Sequence, residues 1–348
     1  YAKARDNLDG MIEAGILRRD GAPGYYVYRL STGDHVQTGI VGAGSVAAYE
    51  ENRIRRHEFT RPDKEIDRFR QIEAMNAQTG PVFVTHPPDG VIAKVMASAT
   101  RHAPAYSVQT HDGAEHALWP ISDEAVISRV SNAFENMKAI YIADGHHRSA
   151  AAARVAAQRK EANPDHRGDE AYNFFLIVSF PADEVRILDY NRLVRDLGGM
   201  GRADFLDAVA DAFDVTPVKA AVRPGRAQSF GMYLGGAWYR LVLKDPPSED
   251  APPVKRLDVS LLNERLLEPI LGVGDQRLDQ RMGFVGGSRG LHELEARVNS
   301  GDWAVALSLF PTRVEDLKAV ADAGQVMPPK STWFEPKLAD GLVSLMLD

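Results

Sequence analysis

Apolar and polar positions alternate along this chain with two different periods, and the switches between them mark out a mixed succession of helices and strands. Tyr1, Ala4, Leu8, Met11 and Ile12 recur at helical spacing and predict an amphipathic helix that stops at Gly15. Tyr25 to Leu30 and His35 to Val41 read as paired strands about a Ser31-Thr32-Gly33-Asp34 turn. A charged amphipathic helix follows over Asp63 to Gln78 and feeds a short strand, Pro81 to Thr85. Val91 to Thr100 is helical, and a hairpin from Ala105 to Ile121 turns at Asp112-Gly113, a strong hairpin dipeptide. A helix over Asp123 to Asn136 then leads to the apolar strand Ala139 to Ala143.

That strand stops at Asp144-Gly145-His146-His147-Arg148, and Ser149 to Arg159 is rich in strong helix formers. The five residues are therefore predicted to fill a strand-to-helix turn. Such a turn presents unpaired N–H groups and a partial positive charge. With Gly145 allowing close backbone approach, Arg148 offering a planar fork and Ser149 opening the helix, it suits a phosphate group. The two imidazoles add donors near neutral pH.

Beyond this point Tyr172 to Phe180 and Arg186 to Asp189 read as strands, and Leu197 to Gly201 as a hinge. A helix at Arg202 to Phe213, a hairpin from Gln228 to Leu243, helices at Val259 to Leu271 and Leu291 to Ser300, and a strand at Trp303 to Phe310 follow. Pro246 to Pro253 is a Pro-rich loop, and Met327 to Leu347 a tail. The pattern is α+β (mixed α/β), with a boundary near residue 199 separating domains 1–198 and 199–348. The second domain could act as a lid or a dimer face, with its tail returning to the site.

Composition narrows the function. A formal net charge of −7 over 348 residues argues against a nucleic-acid or anionic-membrane binder. The absence of cysteine excludes disulfides, thiolate metal sites and a cysteine nucleophile. No long apolar run or signal pattern is present, so a cytoplasmic protein is the expectation. The opening helix lacks a cap and an initiating Met, which suggests that residues precede it.

A second cluster, Arg55 to Thr60 followed by Lys64, Asp67 and Arg68, places charges of both signs in a loop running into a helix. Lys64, Asp67 and Arg68 share one helix face and fit a solvated ion-pair face equally well. His57-Glu58 falls outside that periodic face and is the stronger candidate for chemistry. Three other patterns read as ordinary structure. Gly42 to Ala47 fits a dinucleotide fingerprint only on paper, His111 and His116 flank a hairpin turn without a third ligand, and Gly286-Gly287-Ser288 lacks the lysine of a P-loop.

The order His57-Glu58, helix, Pro81-Val82 strand, then a strand ending in Asp-Gly-His-His-Arg resembles the ParB/sulfiredoxin-like superfamily, particularly its free-serine kinases, over the N-terminal half. Across most of its length the chain resembles a microbial family known only as domain of unknown function 1015. That likeness rests on His57-Glu58-x-Thr60-x-x-x-Lys64-x-x-Asp67-Arg68, Ala143 to Arg148, Tyr172-Asn173, Met327 to Thr332, Pro336-Lys337 and Gly341-Leu342. A Pro-Pro-Tyr-Asp-Val-like segment usual in the family is not found here. Sulfiredoxins carry Cys at the position of His146, and a chain without cysteine cannot follow their chemistry.

The resemblance implies a nucleotide- and phosphate-binding first domain and transfer of a phosphoryl group to a small hydroxyl metabolite, with free L-serine as the best single guess. It implies ATP or ADP and Mg²⁺ as cofactors. Glu58 would be the general base; Asp144, His146 and His147 would surround the transferred group, and Asp144 would help to hold the Mg²⁺. Gly145, Arg148, Ser149, His57, Thr60, Lys64, Arg68 and Lys330 would line the phosphate and nucleotide site. Expected partners are the nucleotide and a small-molecule substrate, with neither nucleic acid nor membrane, and a homodimer is allowed. The alternatives are a nucleotide-binding switch without transfer, or a phosphate-ester hydrolase.

Overall fold

The computed structural model describes all 348 residues, which form two compact units: Tyr1–Val185 with Pro336–Asp348, and Arg186–Glu335. The chain thus leaves the first unit earlier than the boundary expected near residue 199. The Leu197–Gly201 segment is not a hinge between the units; it joins a strand to a helix inside the second.

In the first unit the elements run α1 (Ala2–Glu13), β1 (Tyr25–Thr32), β2 (His35–Ser45), α2 (Val46–Glu50), β3 (Ile54–Arg55), α3 (Pro62–Met75) and β4 (Ala77–Gln78). They continue with β5 (Val82–His86), α4 (Gly90–Ala99), β6 (Tyr106–Gln109), β7 (Glu115–Ile121), α5 (Glu124–Glu135), β8 (Ile140–Asp144), α6 (His146–Ala162) and β9 (Phe174–Pro181). Eight of these strands form one sheet in the order β3-β8-β5-β9-β2-β1-β7-β6. Its pairs are antiparallel except β3 with β8 and β5 with β9.

Two apolar clusters hold this sheet to its helices. Val84, Ile142, Phe175, Ala151 and Val155, all fully buried or nearly so, belong to one. Val27, Ile40, Ile92, Trp119 and Val130 belong to the other. Small residues on α6, Ala151, Ala152 and Ala156, keep that helix close to the sheet and to α3. Helix α3 ends at Met75, three residues before the helical period alone predicts, with its cap Asn76 left-handed at a φ of 51°. Gly42 to Gly44 lie inside β2, paired with β9, so the paper dinucleotide fingerprint is a strand.

The second unit contains β10 (Ile187–Leu188), β11 (Tyr190–Val194), α7 (Arg202–Ala212), β12 (Phe213–Val218), β13 (Ser229–Leu234), β14 (Ala237–Leu243) and α8 (Asp258–Leu262). After them come β15 (Met282–Gly286), α9 (Leu291–Asn299), β16 (Val305–Leu309), α10 (Val314–Asp322) and β17 (Trp333–Phe334). An antiparallel sheet of order β12-β14-β13-β16-β11-β15 is its backbone. The helix foreseen over Val259 to Leu271 is a short α8 that widens into a π turn at Asn263–Leu267. No helix of the chain is long and apolar enough to cross a membrane.

The tail then rejoins the first unit, where β18 (Leu345–Met346) pairs with β4. Arg159 of α6 fixes it from beneath, donating to Asn76 Oδ1 at 2.7 Å and to the Leu347 carbonyl at 3.2 Å while pairing with Glu73 at 2.9 Å.

Candidate functional site

Strand β8 delivers Asp144 to the edge of the core, and Gly145 turns the chain there with φ +99°. Glycine suits this place twice over. The angle is unfavourable for L side chains, and a Cβ would stand 3.3 Å from Val82 Cα. Helix α6 then begins at His146, not at Ser149, so His146, His147 and Arg148 form its first turn instead of a preceding loop. The Gly145 carbonyl already accepts from Arg148 N at 2.8 Å and Ser149 N at 3.1 Å, which closes the helix three residues earlier than side-chain propensity suggests. No side chain caps this 17-residue helix, so its leading N–H groups face the site.

The loop after β3 brings the second cluster to the same place. The Glu58 carboxylate lies 4.0 Å from His146 Nδ1, and the His57 and His146 rings meet edge to face with centroids 4.5 Å apart. His57 and His146 are buried, whereas the Glu58 side chain is 40% exposed. His147 Nε2 accepts from the Arg61 backbone N–H at 3.0 Å, which orients that ring. Neither ring nitrogen of His57 makes a hydrogen bond of good geometry, although the ring approaches the Ile142 backbone. Burial pushes His57 down to about 4, with the Ile142 backbone and the Asp144 charge pulling weakly the other way. Burial also holds His146 well below the ordinary histidine value, helped by neighbouring His57, His147 and Arg56.

Two residues that the sequence did not single out complete the arrangement. Lys337 of the tail donates to Asp144 Oδ2 at 2.9 Å, and Asp340 Oδ1 faces Arg148 Nη2 at 3.5 Å. Burial opposes ionisation of Asp144, but Lys337, Arg148 and the Gly145 N–H outweigh it and keep the carboxyl below its usual range. Arg148 also donates to the Pro81 carbonyl at 3.1 Å, which aims its guanidinium along the edge of the sheet. Pro336-Lys337 belongs to the motif set of the sequence resemblance, and that is the one signal that could have brought Lys337 forward.

The remaining candidates scatter. Ser149 is fully buried and its hydroxyl donates to the His146 carbonyl at 3.0 Å, within α6. Thr60 donates to Glu65 at 2.8 Å; Arg68 pairs with Asp67 at 3.6 Å and donates to Gln71 at 2.6 Å, while Lys64 is exposed on α3. Lys64 and Arg68 thus lie on a solvated face of α3, and Thr60 sits in the loop before it. Lys330 belongs to the second unit, with φ +59° and its ammonium 5.8 Å from the Tyr190 ring centroid. His116 is buried with Nδ1 2.5 Å from the Tyr28 hydroxyl, so it serves the core. A groove of about 540 Å³ between α4, α5 and β7 shares no residue with the Glu58–His146 cluster.

These donors suit an anion first. The first turn of α6, Arg148 and the Lys337 ammonium bring positive charge to one place. A hard cation at Asp144 would have to take the place of the Lys337 ammonium.

A family model described as a protein of unknown function, DUF1015, matches residues 1–260. No curated protein matches the sequence. Among solved structures, the chain is similar to a free serine kinase in complex with AMP, at 10% identity and a TM-score of 0.40, covering 91% of each chain. It is also similar to C-terminally truncated SbnI from Staphylococcus aureus, at 12% identity and a TM-score of 0.44, covering 87% of this chain and 85% of that one. A conserved hypothetical protein from Pyrococcus furiosus matches at 11% identity and a TM-score of 0.38, covering 89% and 95%.

Proposed function

Because the chain belongs to the DUF1015 family, a family described as of unknown function, we propose a role from its own site: a nucleotide-dependent phosphotransferase acting on the hydroxyl of a small metabolite, with ATP or ADP as donor and free L-serine as the first acceptor to test. The observation that carries this reading is the Glu58 carboxylate 4.0 Å from His146 at the uncapped N-terminus of α6. A pure phosphate binder has little use for an acid so placed. A general base for phosphoryl transfer must stand there.

In this reading the α6 N–H groups and Arg148 hold the phosphate oxygens, and Gly145 lets the backbone approach them. Lys337 turns from Asp144 toward the anion when it arrives. Glu58 accepts the proton of the substrate hydroxyl as its oxygen bonds to phosphorus and the bond to the bridging oxygen breaks. Arg61 keeps His147 oriented through its backbone N–H. The nucleotide would supply the phosphoryl group, and a bound Mg²⁺, which Asp144 would hold, would offset the charge of its phosphates.

The tail gives a second reading some support. Lys337 on Asp144 and Asp340 on Arg148 occupy both charged groups of the cradle, as a nucleotide-responsive switch without transfer would require. One experiment separates the two. The full chain is incubated with ATP or ADP, Mg²⁺ and a panel of hydroxyl metabolites including L-serine, and phosphorylated products are followed by mass spectrometry. Product that disappears in Glu58→Gln supports transfer. Nucleotide binding without product, unchanged by Glu58→Gln, supports the switch.

A further inference from the structure

His57, Glu58 and His146 each offer a ligand atom, and those atoms all lie within 4.8 Å of one another. Two imidazoles and a carboxylate converging from a loop and a helix terminus form a donor set used for borderline divalent ions, not the all-oxygen set that Mg²⁺ prefers. Two ligands about 2.1 Å from a tetrahedral ion stand about 3.4 Å apart, so the 4.0 Å between Glu58 and His146 needs to close by roughly half an ångström.

An independent observation points to a missing partner. His57 is only 1% exposed, yet neither of its ring nitrogens makes a hydrogen bond of good geometry, the ring approaching the Ile142 backbone without forming one. Leaving a buried polar group unsatisfied costs about 1–3 kcal/mol, and such groups in a folded protein ask for a ligand. His146 is buried as well, and its Nε2 meets only the His57 backbone N–H at 3.5 Å, too long to fix its tautomer. The positive end of α6 disfavours a bare cation, which the Glu58 charge offsets.

We infer that His57, Glu58 and His146 hold a divalent transition-metal ion such as Zn²⁺, Fe²⁺ or Co²⁺, with the remaining coordination positions open on the exposed side of Glu58. Ion binding stands apart from phosphotransfer. Its role in placing or activating the acceptor hydroxyl beside Glu58 rests on the reading above.

Cobalt(II) is the probe, because its visible ligand-field bands report nitrogen and carboxylate coordination directly. The metal-free full chain is titrated with Co²⁺ without nucleotide, alongside Glu58→Gln, His57→Gln and, as a control, the exposed hairpin variant His111→Gln. The expected result is one Co²⁺ per chain with intense visible bands, and an affinity at least tenfold weaker in Glu58→Gln and His57→Gln than in His111→Gln. Glu58→Gln alters a part-exposed side chain, so its thermal midpoint should match the parent even if the buried His57 variant unfolds. Absence of bands at millimolar Co²⁺, or bands undiminished in Glu58→Gln, would overturn the site. A failed phosphotransfer assay leaves this result intact, and the reverse also holds.

Discussion

Replacing Gly145 by alanine tests whether the entry to α6 is built as described. Two costs add. A left-handed backbone costs an L residue about 1–2 kcal/mol, and Gly145 sits at φ +99°. The new Cβ would also stand 3.3 Å from Val82 Cα, on the central strand β5, where little can yield. Overpacking of this kind adds about 1 kcal/mol or more. Gly113 provides the control within the same unit: its φ is +86°, but no atom lies within 4 Å of a Cβ built there. Gly113→Ala therefore carries the backbone cost alone. For a unit of about 200 residues, each kcal/mol lowers the midpoint by about 2–4 °C. Gly145→Ala should melt about 4–12 °C below the parent and several degrees below Gly113→Ala. Urea unfolding followed by Trp119 fluorescence, the one tryptophan of the first unit, should rank the variants identically. Equal midpoints for the two variants, or a neutral Gly145→Ala, would refute the packing argument.

Further outcomes follow from single contacts. Lys337→Met removes a 2.9 Å pair whose side chains are about half exposed, so the melting midpoint should move by less than about 4 °C. Calorimetry should nevertheless show ADP affinity reduced about tenfold or more, as loss of a charge-assisted bond to phosphate implies. Tyr28→Phe leaves buried His116 Nδ1 without its hydroxyl partner and should cost about 1–3 kcal/mol in urea denaturation. Burial pushes His86 down to about 4, so the unfolded chain takes up its proton first as the pH falls. The share that His86 contributes should be full above the unfolded value near 6.5 and fall by about 3 kcal/mol between there and pH 4; His86→Asn should remove that share from denaturation curves taken across the range and leave the decline due to His57 and His146, which burial also holds down.

Sequence reasoning located the turn because strand, glycine and helix are contiguous there: Ile140 to Ala143 and the alanines after Ser149 announce their elements through short-range preference. It misjudged the start of α6 because propensity treats histidines as weak helix formers, whereas the Gly145 carbonyl closes the first turn over them. Glu58 and His146 were legible as separate motifs 88 residues apart, and only β3 pairing parallel with β8 brings them together. The return of the tail was expected, but through Lys330, which stays in the second unit; that Lys337 and Asp340 are the residues that come to Asp144 and Arg148 was not legible, since nothing local in a proline-flanked segment picks them out. Ser149 looked available and is consumed by its own helix. Of the second unit, β11, β12, β15, α10 and β17 went unread, their short runs lying among turn residues.

The central claim is that the start of α6 and Arg148 receive the phosphates of a nucleotide. Isothermal titration of the full chain with ADP, AMP and adenosine, repeated on Arg148→Leu, addresses it most directly. The account predicts that affinity falls in that order and that Arg148→Leu weakens ADP at least tenfold while leaving adenosine unchanged. Equal affinity for all three ligands, or ADP binding indifferent to Arg148→Leu, would contradict it.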